Sequence, residues 1–146
     1  MKNQEFKIAE QKTKQAGLKA TIPRMRILQL LENSQQRHWS AEDVYKALLD
    51  SGDDEGLALA TIYRVLTQFE GAGLVTRLHF DGGTSVFELN QGAHHDHLIC
   101  IKCGKIEEFF DEAIEKRQQA IAKKKNFDIT DHCLHIYGVC ALCKKL

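Results

Sequence analysis

The sequence predicts an α+β protein of two small domains, with three helices and a β-hairpin in residues 1–90 and an α/β arrangement in residues 91–146. Three observations predict this fold class. Helical apolar patterns fill the first part of the chain, two short β-prone runs follow, and a polar break, Asn90-Gln91-Gly92-Ala93, precedes a new strand. A chain of 146 residues is long enough for two domains with modest cores.

Charge is balanced overall but unevenly distributed. Lys plus Arg and Asp plus Glu number 20 each, whereas residues 1–30 alone hold seven basic and two acidic side chains. This basic arm is a candidate for contacts with phosphate groups. The sequence has no apolar run of about 18 residues and no signal-peptide pattern, so we predict a cytoplasmic protein without a membrane span.

The first two helices have clear boundary signals. Ile22–Asn33 is predicted as a helix, with Thr21 as its cap and an apolar stripe along one side. The next helix starts after Ser40, because Ser40 and Asp43 match a capping box, and Gly52 is predicted to end it.

A third helix is predicted over residues 59–69, with Ile62, Leu66 and Phe69 facing inward. The β-prone runs at residues 74–80 and 84–89 then flank the segment Asp81-Gly82-Gly83, which is a strong hairpin signal. Three helices followed by a hairpin is the order of a winged helix-turn-helix, whose third helix enters the DNA major groove. A generic small α+β domain is the alternative.

The second domain is predicted to begin with a strand rich in metal ligands. Alternate side chains of a strand point to opposite faces, so His94 and Asp96 should share one face, and His95 and His97 the other. A helix over residues 107–125 and a strand over residues 133–137 are predicted to follow, with the side chain of Cys133 in the core.

Two C-x-x-C pairs predict a structural zinc site. Four thiolates can bind tetrahedral Zn(II) and leave no open position for a substrate. The thiolates come from Cys100, Cys103, Cys140 and Cys143. In a reducing compartment such pairs indicate metal binding rather than disulfides, and buried or redox-active cysteines are the alternative.

Nitrogen and oxygen ligands can form a second kind of site. His95 and His97 share a strand face, and Glu88 is close to them in sequence. His38 and Glu108 can complete this set, which suits Fe(II), Mn(II), Co(II) or Zn(II). Such a site would link the two domains. A solvated histidine is the alternative for His38.

On the opposite strand face a further mixed set can assemble from His94, Asp96, Glu115 and His132. Glu108 and Glu115 are seven residues apart, so both are predicted on one face of the helix over residues 107–125. A solvated acidic face is the alternative, because Asp111 and Glu112 lie nearby.

A metal-dependent hydrolase is the enzymatic alternative, since a His/Asp/Glu cluster can activate water. The zinc-deaminase signature, however, requires H-x-E and a Pro before the C-x-x-C pair, and this chain has His95-Asp96-His97 and Ile99-Cys100 instead. The sequence also has no nucleophile elbow and no Gly-rich phosphate loop. We therefore predict that the protein is not an enzyme.

Ordered motifs along nearly the whole chain resemble the ferric uptake regulator family of metal-dependent repressors. In chain order they are AGLKAT with Pro23-Arg24, SAEDVY, ATIYRVL, Gly82-Gly83 through FEL, HHDHLIC and IYG. One departure is the segment Gly56-Leu57-Ala58-Leu59-Ala60-Thr61, which is longer than the family's usual Gly-Leu-Ala-Thr entry to the recognition helix.

The resemblance implies a repressor of iron-acquisition genes, with Fe(II) as the corepressor and operator DNA as the partner. It implies a homodimer formed by the C-terminal domain, with a tetramer as the alternative assembly. By position, it implies a regulatory site at His38, Glu88, His95, His97 and Glu108, a second site at His94, Asp96, Glu115 and His132, and zinc at the four paired cysteines.

The same resemblance implies that Lys19 reaches the minor groove and that Tyr63 and Arg64 contact the bases. Regulators of the same superfamily that sense zinc or peroxide are the alternative. Because the peroxide sensors commonly carry Asp where this chain has Glu88, we prefer iron as the sensed metal.

Overall fold

The chain folds as two compact units, Met1–Gln91 and Gly92–Leu146. The structure is a computed structural model that describes residues 2–52, 56–79, 85–91 and 94–145. The predicted hairpin turn at Asp81-Gly82-Gly83 lies outside the described residues. No helix within those ranges is long and apolar enough to cross a membrane.

Four helices build most of the first unit: α1 (Lys2–Gln15), α2 (Ile22–Asn33), α3 (Ala41–Ser51) and α4 (Leu59–Gly71). Thr21 caps α2 by accepting a hydrogen bond from the backbone N–H of Arg24 at 3.4 Å. Ser40 and Asp43 form the predicted capping box of α3, with both hydrogen bonds at 3.0 Å. Gly52 ends α3 in the left-handed conformation, with φ at 75°.

A two-stranded antiparallel hairpin, β1 (Val75–His79) and β2 (Ser85–Leu89), completes this unit. Its core is formed by side chains from α2, α3, α4 and β2, which are less than 1% exposed at Ile27, Leu28, Val44, Ile62, Leu66, Phe69 and Phe87. Trp39 pairs with Phe87 through two backbone hydrogen bonds of 2.9 and 2.7 Å. The loop before α3 therefore pairs with β2 through one antiparallel bridge.

The second unit contains β3 (Asp96–Cys100), β4 (Ile106–Phe109), α5 (Glu112–Lys124), β5 (His135–Gly138) and the short α6 (Ala141–Lys144). The sheet has the order β4-β3-β5, with β4 antiparallel and β5 parallel to the central strand. The register places His97 beside Glu108 on one side and beside His135 on the other.

Three expectations about local structure were wrong or incomplete. The predicted helix over residues 107–125 is instead β4 followed by α5, so Glu108 lies on a strand and does not share a helix face with Glu115. Cys133 is exposed rather than in the core. The sequence patterns also did not indicate α1, whose buried contribution comes from Ala9 and Thr13.

Candidate metal centres and DNA-reading surface

Four cysteine sulfurs converge in the second unit. Cys100 ends β3, Cys103 lies in the following turn, Cys140 immediately precedes α6, and Cys143 lies within it. Their Sγ atoms all lie within 4.8 Å of one another, and those of Cys103 and Cys140 are 3.7 Å apart. Sulfurs held at about 2.3 Å from a tetrahedral zinc stand about 3.8 Å apart. This donor set therefore fits a structural Zn(II) ion.

The acidity of these thiols depends on the backbone and on neighbouring sulfurs. Backbone N–H groups of Cys103 and Cys140 lower the pKa of Cys100 to about 6, and the Cys140 N–H lies 3.4 Å from its sulfur. The hydrogen bond from the Cys143 thiol to the Cys140 sulfur, together with burial, raises the pKa of Cys143 to about 12. The cluster thus resists full ionisation unless a cation neutralises it.

A cluster of imidazoles and carboxylates forms in the second unit around His94, which lies just before β3. His94 Nε2 lies 3.0 Å from Asp96 Oδ1 and 3.3 Å from Glu115 Oε1. His132 Nε2 lies 2.6 Å from Glu115 Oε2, and the His94 and His132 rings are 4.2 Å apart. Of the four residues that the sequence grouped, His94, Glu115 and His132 offer ligand atoms within 4.8 Å of one another, whereas Asp96 contacts only His94 of this set.

Asp96 adds a buried carboxylate beside this cluster. The residue is fully buried, and its Oδ2 has no hydrogen-bond partner within the part of the chain that the structure describes. Burying an ionised carboxylate without compensation costs several kcal/mol. A divalent cation held by His94, Glu115 and His132 would place a positive charge beside the His94 ring that Asp96 contacts, and so would offset part of this cost.

In the first unit, His38 and Glu88 are neighbours because Trp39 pairs with Phe87 and the antiparallel register continues by one residue. His38 Nε2 lies 3.7 Å from Glu88 Oε2. Glu88 is almost completely buried, and its other oxygen, Oε1, lies 3.3 Å from Nη2 of Arg37. An imidazole and a buried carboxylate are thus available together in this unit.

In the second unit, His95 lies close to His97 and Glu108, which are paired across β3 and β4. His95 Nε2 is 3.5 Å from Glu108 Oε1, and the rings of His95 and His97 are 4.9 Å apart. Sequence reasoning did not identify His135, whose ring lies 5.3 Å from that of His97. Only the register of β5 against β3 places it there, and no local pattern gives that register.

The residues expected to contact DNA are exposed in the first unit. Tyr63 and Arg64 lie on the outer side of α4, and Lys19 lies in the loop between α1 and α2. This loop is held by Arg24, whose Nη1 donates to the Lys19 carbonyl at 2.8 Å. The three exposed residues therefore come from one loop and one helix of the same unit.

A winged-helix unit followed by a unit with clustered metal-ligating side chains defines a metal-responsive, DNA-binding regulator. The chain belongs to the ferric uptake regulator family, whose model matches residues 15–137. Over 134 residues it is 63% identical to the ferric uptake regulation protein of Legionella pneumophila. The match covers 92% of this chain and 97% of that protein. The family resemblance predicted from the motifs is confirmed.

Two solved structures have the same fold. The ferric uptake regulator from Pseudomonas aeruginosa with manganese has a TM-score of 0.82 and 50% identity, and the match covers 92% of this chain and 98% of that one. The regulator from Francisella tularensis with iron has a TM-score of 0.76 and 43% identity, with 88% and 96% covered. The predicted fold class is confirmed by these likenesses.

Proposed function

We propose that the protein is an iron-responsive transcriptional repressor that binds operator DNA through α4 and the basic N-terminal region. The observation that carries this proposal is the pairing of His38 with buried Glu88 inside the winged-helix unit, 3.7 Å apart. A metal ion bound there acts directly on the unit that contacts DNA. Membership of a family of transcription regulators also favours this function over a metal-dependent hydrolase.

The regulatory ion takes ligands from both units in this proposal: His38 and Glu88 from the first, and His95, His97 and Glu108 from the second. Support comes from each unit separately, because each holds imidazole and carboxylate groups within 4 Å of each other. Shared ligation couples metal binding to the arrangement of the DNA-binding units. Typical coupling free energies of about 1 to 3 kcal/mol would give roughly 5- to 150-fold tighter operator binding.

Fe(II) is the proposed corepressor, with Mn(II), Co(II) or Zn(II) able to substitute. Mixed imidazole and carboxylate ligands suit all four ions, so the choice depends on geometry and metal availability. Related regulators have been solved with manganese and with iron, which supports a site of this type in the present chain. The four cysteines hold a structural zinc in the same proposal.

A homodimer formed by the second unit is the proposed assembly. This unit buries few of its described side chains, and α5 has none that is buried. Large apolar side chains are exposed on its strands, loops and helices, at Leu98, Ile101, Phe110, Ile121, Phe127, Ile129, Ile136, Tyr137 and Leu142. A unit of this size needs a metal or a partner to be stable, and a second copy would cover these side chains.

The decisive experiment titrates Mn(II) or anaerobic Fe(II) into wild-type protein and His38→Ala while operator affinity is measured at fixed salt. We expect wild type to tighten on DNA with metal and His38→Ala to lose most of that gain. His79→Ala, a substitution of the exposed histidine at the end of β1, is the matched control and should keep it. Undiminished metal-dependent tightening in a dimeric His38→Ala would exclude His38 as a ligand.

A further inference from the structure

Arg77 on β1 makes a set of contacts that reaches across to the recognition helix. Its Nη1 donates to the Tyr63 hydroxyl oxygen at 3.2 Å, and its Nη2 donates to Thr67 Oγ1 at 2.8 Å. The same Nη2 lies 3.4 Å from Glu70 Oε1. The guanidinium carbon lies 5.3 Å from the centroid of the Tyr63 ring and 4.9 Å from that of Phe87. One side chain thus connects the hairpin with three residues of α4 that are spaced about one turn apart.

Arg77 and Tyr63 differ in how far they are exposed to solvent, and this difference suggests different roles. The Arg77 side chain is 13% exposed, whereas Tyr63 is 44% exposed. A guanidinium that is covered by two aromatic rings and hydrogen-bonded to protein is poorly placed to neutralise a DNA phosphate. The phenol, by contrast, faces solvent on the side of α4 that carries Arg64.

We propose that Arg77 is a positioning residue that fixes Tyr63 as a hydrogen-bond donor toward the acceptor edge of a base. The Tyr63 oxygen accepts from Arg77, so its own hydroxyl hydrogen is available to point away from the protein. A hydroxyl that accepts from a cation also becomes a stronger donor. Its targets in the major groove are N7 and O6 of guanine, N7 of adenine and O4 of thymine.

This inference rests on the proposed function, because it requires α4 to read operator DNA. It also explains why arginine, and not merely a positive charge, stands at position 77. The planar guanidinium contacts Tyr63, Thr67 and Glu70 together, which the single ammonium of lysine cannot do with the same geometry. Arg77→Lys therefore keeps the charge and removes the positioning.

The test uses full-length, Mn(II)-loaded protein and a duplex selected from a random-sequence pool by wild type. Affinities for this duplex and for random DNA are measured for wild type, Arg77→Lys, Tyr63→Phe and the double variant. Arg117→Lys, an exposed substitution on α5, is the matched control. The thermal unfolding midpoint of each variant is measured alongside, so that a loss of fold is separated from a loss of positioning.

We expect Arg77→Lys to weaken binding to the selected duplex about five- to tenfold, the equivalent of one hydrogen bond, and to leave random DNA within about twofold. In the Tyr63→Phe background the same substitution should change affinity by less than about twofold. Additive losses, equal losses on both DNAs, or no loss would each overturn the proposal. If wild type selects no duplex in the presence of Mn(II), the proposed function itself fails.

Discussion

Arg24 and Gln68 join the loop that carries Lys19 to the recognition helix. Arg24 donates through Nε and Nη2 to Gln68 Oε1 at 3.1 and 3.0 Å, and through Nη1 to the Lys19 carbonyl at 2.8 Å. The residue expected in the minor groove and those expected in the major groove are therefore held in a fixed relation within one unit. Gln68 acts here through its side-chain oxygen, which accepts both of these Arg24 hydrogen bonds.

Gln68→Ala should separate the two DNA-contacting segments. Loss of the acceptor removes both hydrogen bonds from the partly buried Arg24 guanidinium to Gln68, at a cost of about 1.5 kcal/mol in unfolding free energy. We also expect several-fold weaker binding to both operator and random DNA, since Lys19 becomes less ordered. Chemical denaturation followed by circular dichroism, with DNA binding in parallel, measures both effects. Gln119→Ala on α5 is the control. Equal unfolding free energies and equal DNA affinities in the two variants would contradict the prediction.

Cys103→Ser should remove one tightly bound zinc per chain and weaken the dimer. The remaining three sulfurs cannot complete a tetrahedral site, and structural zinc contributes directly to folding free energy. Metal content after gel filtration and sedimentation at several protein concentrations give the two measurements. Cys133→Ser is the matched control, because this exposed thiol lies outside the cluster. Full zinc content and unchanged dimerisation in Cys103→Ser would refute the assignment.

Zinc affinity should increase with pH between about 6.5 and 8.5. Zinc binds thiolates, so a thiol with a raised pKa must lose its proton when the metal enters. The pKa of Cys143 is raised to about 12, so its thiol is protonated across this range and must release that proton to bind zinc. This release alone should lower zinc affinity about tenfold for each unit by which the pH falls. Cys100, with its pKa lowered to about 6, should add to the loss only near the acid end. Competition with a chromophoric chelator measures this slope, and a flat profile would exclude thiolate ligation.

Arg64→Ala should lower operator affinity by about 1 to 3 kcal/mol and leave dimerisation unchanged, because Arg64 is exposed on α4 and is expected to contact a base. Lys19→Ala provides the contrast. Its loss should be similar on operator and random DNA, with a smaller dependence of affinity on salt. Binding isotherms at three salt concentrations distinguish the two patterns, and equal weakening of both DNAs by Arg64→Ala would argue against base reading.

The winged-helix unit could be predicted closely because its boundaries are set by local chemistry. Thr21, the Ser40 and Asp43 capping box, and Gly52 each fix one end of a helix through groups a few residues apart. The observed bounds of α2 agree with the sequence-based ones. Helix α1 lacked such a signal, since most of its side chains are exposed.

The second unit was harder to predict because pairing between strands overrides local preference there. The acidic residues before Asp111 favour a helix, yet Ile106–Phe109 pairs with β3 and Asp111 caps a later helix by accepting from two backbone N–H groups. The side-chain clusters were predictable where they depend on strand alternation or C-x-x-C spacing. The contacts of His135 and Arg77 were not, because they require the register of distant strands.

Trp39 is the single tryptophan of the sequence, and it is buried beside His38 with its indole N–H donating to the Gln36 carbonyl at 3.0 Å. Its fluorescence therefore reports on the winged-helix unit alone and requires no introduced label. Co(II) or Fe(II) binding at the adjacent histidine would quench this emission over short distances, while zinc bound by the cysteines would not. Trp39 fluorescence can thus report metal binding at His38 while the cysteine site is occupied by zinc.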